Sequence, residues 1–128
     1  MIIDRIDHIV LTVNSIEATI EFYERVLGMT AITFAGGRRA LTFGSQKINL
    51  HPAANPYPEK AKSPTAGSGD FCLITPTPIE DVVKHLQAQT VEVEVSPVAK
   101  SGATGALMSV YFRDPDGNLV EVSNYVDS

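Results

Sequence analysis

The sequence predicts an α+β fold of two repeated βαβββ modules, and three observations carry that prediction. DHIVLTVNSIEATI, starting at Asp7, resembles DFCLITPTPIEDVV, starting at Asp70, and both read as a strand running into a helix. ALTFGSQKINLH and VYFRDPDGNLVE each read as strand, turn, strand. Between the halves lies HPAANPYPEKAKSPTAGSG, whose Pro, Ala and Gly mark a linker. The expected organisation is one domain over 1–128, with module 1 at about 4–51, a linker at about 52–69 and module 2 at about 70–126.

Each element has a local reason. The first strand alternates, with Ile9, Leu11 and Val13 on one face and His8, Val10 and Thr12 on the other. Asn14 and Glu17, three apart, read as a capping box for the first helix. That helix places Ile16, Ile20, Tyr23 and Leu27 on one side and ends at Gly28. Thr77 and Glu80 repeat the capping pattern, with Pro78 at the first helical position. The second helix shows Ile79, Val82, Val83 and Leu86 on one side. One strand per copy is weakly marked: AITF after Gly28, and VEVEV after Thr90. SPVAKSGATGAL, rich in Gly, Ala and Ser, suits a mobile lid carrying Lys100.

Composition bounds the function. The 128 residues are 44% hydrophobic and 20% charged, as in a globular domain. A net charge of −5 disfavours a nucleic-acid face. The lone Cys72 allows no internal disulfide, which points to a reducing cytoplasm. No apolar run is long enough to span a membrane, and the N-terminus lacks a signal-peptide pattern.

Alternation also assigns faces. An amphipathic helix and a sheet bury each other, so Leu41, Phe43, Ile48, Leu50, Val110, Phe112, Val120 and Val122 point toward the helices. Thr42, Asn49, His51, Ser109, Tyr111, Arg113 and Glu121 point away from them. The span from Leu41 to His51 equals that from Tyr111 to Glu121, which makes His51 and Glu121 equivalent positions. His8, His51 and Glu121 thus share the face that the helices leave free. Two imidazoles and a carboxylate are a ligand set for Mn, Fe, Co, Ni or Zn, with open positions for substrate. Each residue taken singly also fits a solvated strand position. Cys72 alternates to the helix side as a small core residue, and His85 suits the C-terminal end of the second helix. Arg113 reads as a charge at the DPDGN turn, and Arg38, Arg39 and Lys60 as solvated surface charges.

The segments RIDHIVLTV, EFYERVLGM, KINLH and YFRDPDGNLVEVSNY resemble the vicinal oxygen chelate superfamily, which includes glyoxalases, bleomycin-resistance proteins, dioxygenases and fosfomycin-resistance enzymes. With CLIT and SPVAKSGATG they look most like the glyoxalase domain-containing protein 5 group. The resemblance implies curved mixed sheets around a metal-binding cavity and a single divalent metal on His8, His51 and Glu121. The family's fourth ligand position, at the start of the second module, falls on Phe71 by the repeat, which disfavours lactoylglutathione lyase itself. Tyr111 resembles the substrate-contacting tyrosine of fosfomycin-type enzymes, and Lys100 is a candidate cation for an anionic substrate.

The expected function is a metal-dependent lyase, isomerase, dioxygenase or epoxide-opening enzyme. It would act on a small, anionic, oxygen-chelating molecule by Lewis-acid stabilisation of an oxyanion. Fosfomycin-type resistance and ligand sequestration without chemistry are the alternatives. A second-shell histidine for extradiol cleavage is not evident, since the remaining His85 lies on a helix. A homodimer is expected from the resemblance and from the exposed edges of an open sheet.

Overall fold

The computed structural model describes residues 1–127. The chain divides into two compact units, Met1–Gly67 and the remainder from Ser68. The first contains β1 (His8–Val13), α1 (Ile16–Leu27), β2 (Thr30–Phe34), β3 (Arg38–Phe43) and β4 (Gln46–Pro52). The second repeats the order with β5 (Asp70–Ile74), α2 (Ile79–Ala88), β6 (Val95–Ser101), β7 (Ala106–Arg113) and β8 (Leu119–Tyr125). The α+β reading and the repeated βαβββ module are therefore what the chain forms.

Each unit builds one mixed sheet, ordered β1-β4-β3-β2 in the first and β5-β8-β7-β6 in the second. The first strand of each sheet runs parallel to the last, and the other pairs are antiparallel. Helix-facing residues form the cores. Tyr23, Leu41, Ile48 and Leu50 are fully buried in the first unit, and Leu86, Val110, Phe112 and Val120 in the second.

The helix starts differ from the expected capping boxes. Ser15, not Asn14, caps α1, its Oγ accepting from Ala18 N–H at 3.1 Å. Gly28 closes α1 in the left-handed conformation at φ 66°, and Met29 N–H reaches Tyr23 C=O at 3.2 Å. In the second unit Pro78 is the cap itself and offers no side-chain hydrogen bond. Thr77 is drawn into a turn, where its N–H donates to Thr75 Oγ1 at 3.1 Å.

The weakly marked strand of the second unit lies further along than VEVEV. β6 runs over Val95–Ser101, from the last residue of VEVEV into the segment read as a lid, and its turn is confined to 102–105, closed by Gly102 N–H to Gly105 C=O at 2.7 Å. Pro97 and the Gly-rich flank hid it. Proline removes a ladder donor, but β6 is an edge strand and its register shifts between Val95 and Val98, which accommodates the residue. Lys100 consequently sits on a strand opposite Leu107, not on a free loop.

Candidate functional site

Strand register decides which residues are equivalent. In the first unit His8 pairs with Lys47, Val10 with Asn49 and Thr12 with His51. In the second, Asp70 pairs with Leu119, Cys72 with Glu121 and Ile74 with Ser123. The helix-facing pairs confirm the frame, because Leu41 opposes Ile48 as Phe112 opposes Val120. The counterpart of Glu121 is therefore Asn49, and the counterpart of His8 is Asp70. The sequence repeat had placed these at His51 and Phe71. His51 lies two residues beyond Asn49 on the same face, whereas Phe71 is off by one because the repeat aligns the helices without a gap and the second helix starts one residue later relative to its strand. A one-residue slip moves every side chain of a strand to its other face.

The same slip corrects Cys72. It is exposed and lies on the face of Glu121, not among the core residues. Its Sγ is 3.3 Å from Ser123 Oγ. Burial raises its pKa, with a further push from the Glu121 carboxylate.

On that face Tyr111 stands opposite Glu121. Burial and then the hydrogen bond to Glu121 raise the Tyr111 pKa, so the phenol keeps its proton. Ser123 Oγ donates to Glu121 Oε2 at 3.3 Å and lies 2.6 Å from Ser109 Oγ, with both serines fully buried. Lys100 Nζ lies 5.7 Å from the Tyr111 ring centre. Tyr111, Glu121 and Lys100 are thus brought together by the second module alone. Arg113 lies at the turn as read, bonding Glu94 at 2.9 Å and the carbonyl of Gly117 at 3.2 Å.

The first module separates its two histidines. His8 and His51 lie four register steps apart on parallel neighbours, roughly 13 Å along the strands at ~3.3 Å per residue. That span is too long for both to reach one ion from the same module. His8 is partly exposed, with Nδ1 2.7 Å from Asp7 Oδ1. The bond to His8 holds the Asp7 carboxyl below its ordinary pKa. A carboxylate on Nδ1 fixes the tautomer that leaves Nε2 as an acceptor, the arrangement common behind metal-binding histidines. His51 is buried at 5% exposure and packs edge-on against Tyr57, ring centres 5.1 Å apart.

Among the described residues, no three His, Cys, Asp or Glu side chains gather closely enough to hold a metal ion. The donors of suitable chemistry are divided, with His8 on the first module and Asp70 and Glu121 on the second. Asp70 shares the face of Cys72 and Glu121, a placement whose one signal in the sequence is the parity of the strand before the second helix. Among the described residues no helix is long and apolar enough to cross a membrane.

Comparison with known proteins places this fold in a family. The model of the Glyoxalase/Bleomycin resistance protein/Dioxygenase superfamily matches residues 5–122. The chain belongs to that superfamily. It is 56% identical to the virulence protein STM3117 of Salmonella typhimurium, over 98% of this chain and 88% of that one. The crystal structure of STM3117 superposes with a TM-score of 0.97, covering 98% of this chain and 100% of that chain. The glyoxalase domain-containing protein RDO1 of Mycosarcoma maydis is 46% identical over 96% of this chain and 69% of its own. Biphenyl-2,3-diol 1,2-dioxygenase 3 of Rhodococcus globerulus is 30% identical over 92% of this chain and 62% of its own.

Proposed function

We propose that the protein is a metal-dependent enzyme acting on a small, anionic molecule that chelates through oxygen. The observation that carries this reading is the Tyr111–Glu121 pair, backed by Ser123 and overlooked by Lys100 on the free face of the second module. Superfamily membership supports it, as does a relative named as a dioxygenase. His8 and Glu121 would be ligands for a divalent ion of the Mn, Fe, Co, Ni or Zn group, and Asp70, on the face of Glu121, is a further candidate beside the expected His51. His8 would present Nε2 because Asp7 occupies Nδ1, and Ser123 would keep one carboxylate oxygen of Glu121 oriented. When bound, the ion would supply Lewis-acid stabilisation of developing negative charge. Tyr111, protonated at neutral pH, would donate a hydrogen bond to a substrate oxygen, and Lys100 would attract the anionic end.

A homodimer that draws ligands from two chains fits this reading. β1 and β5 are edge strands, and Ile9, Val10 and Ile74 are exposed on them. A reducing cytoplasm suits the lone, exposed Cys72. The test is metal reconstitution followed by a panel of small carboxylates, phosphonates, epoxides and catechols. Turnover that requires the metal, and that falls in Tyr111→Phe, supports the reading. Turnover unaffected by chelation removes it.

A further inference from the structure

The residues left over from the second-module cluster form a group of their own on the first module. Asn49 and His51 are two apart on β4, so both face away from α1. Asn49 Oδ1 and His51 Nδ1 are buried and have no hydrogen-bond partner among the described residues. An orphaned buried polar atom costs about 1–3 kcal/mol, so two on one face require an explanation. Beside them Arg38 lies over the Tyr57 ring, 4.6 Å from its centre, and Tyr57 packs on His51. One Arg38 donor reaches the Pro58 carbonyl at 3.2 Å, and no carboxylate pairs with Arg38 among the described residues. Burial first, then Arg38 and Lys60, lowers the His51 pKa and keeps the ring neutral. A chain with 15 acids and 10 bases thus sets two cations around a buried, uncharged imidazole.

We infer that this face is a binding pocket for a small hydroxycarboxylate, built by Arg38, Asn49, His51 and Tyr57. With one donor on Pro58, the Arg38 guanidinium keeps further N–H donors, and such a planar fork matches a carboxylate. His51 Nδ1–H donates to the same group without adding charge. Asn49 Oδ1 can only accept, which a carboxylate cannot answer. A hydroxyl next to the carboxylate can. Asn49 and His51 lie about 7 Å apart along the strand, a span that a two- or three-carbon molecule covers with a hydrogen bond at each end. The inference shares with the proposed function an anionic substrate but rests on first-module residues and needs no metal.

Calorimetric titration of the full chain with glycolate, acetate and ethylene glycol, before and after chelation of metal, tests it. Glycolate is expected to bind the metal-stripped protein, with acetate and ethylene glycol weaker. Arg38→Gln, checked for folding by circular dichroism, should weaken glycolate about tenfold or more, the scale for a charged hydrogen-bond pair. Asn49→Ala should reduce glycolate to the level of acetate. Equal glycolate affinity in wild type and Arg38→Gln, or no glycolate heat in the millimolar range, overturns the inference. Binding confined to metal-loaded protein and indifferent to Arg38→Gln also overturns it, while leaving the metal reading intact.

Discussion

Tyr111 and Glu121 are register partners across β7 and β8, and burial, with the hydrogen bond to Glu121 adding to it, raises the tyrosine pKa and keeps the phenol protonated. The pair sits between the last helix-facing residues of the same strands, Val110 and Phe112 on one, Val120 and Val122 on the other. Its position is therefore fixed by the core beneath it.

Tyr111→Phe removes the hydroxyl and keeps the ring. The fold should lose no more than about 1 kcal/mol, the net value of one hydrogen bond. Turnover or substrate affinity should fall clearly. Chemical denaturation separates the two effects, and a variant with wild-type kinetics removes Tyr111 from the site.

Ser15→Ala deletes the cap of α1. A loss of about 1 kcal/mol is expected. Chemical denaturation reads it, and an unchanged stability would remove Ser15 as the cap.

The choice of cap also shows what the sequence made legible. Alternation and repetition were enough for the two modules and for the faces of β1, β4, β7 and β8, because a two-residue period has one solution over an apolar helix. Glu121 and Tyr111 followed directly. The ends of elements did not, since Asn14, Ser15 and Thr77 are all good caps and only tertiary context selects among them. β6 was hidden because Pro97 is tolerated at a sheet edge. Phe71 was matched to the wrong partner because a repeat aligned on its helices conceals a one-residue offset in the strand before the second helix, and His51 because a two-residue shift in the hairpin keeps every side chain on its face and so leaves the alternation unchanged.

His51 gives the protein an acid-side sensitivity. Its folded pKa lies below the ordinary 6.5, so the unfolded chain binds more protons in the window between the two values. Stability therefore falls as pH drops below about 6.5. His51→Gln should flatten that part of the profile. Denaturation midpoints between pH 7 and pH 5 check it, and identical slopes would contradict a buried neutral His51.

Phe112 is fully buried beside Tyr111. Phe112→Ala should cost about 3–5 kcal/mol, most of the stability of a small domain. Thermal unfolding reads this directly, and a small shift would mean that the core beneath the site is not what holds it.

The most direct measurement is metal content by elemental analysis after reconstitution, in wild type, His8→Ala and Glu121→Ala. The expected result is a divalent ion near one per chain in wild type and a sharp fall in both variants, with circular dichroism unchanged. Full occupancy in Glu121→Ala, or a wild type that takes up no divalent metal, would contradict the proposed centre.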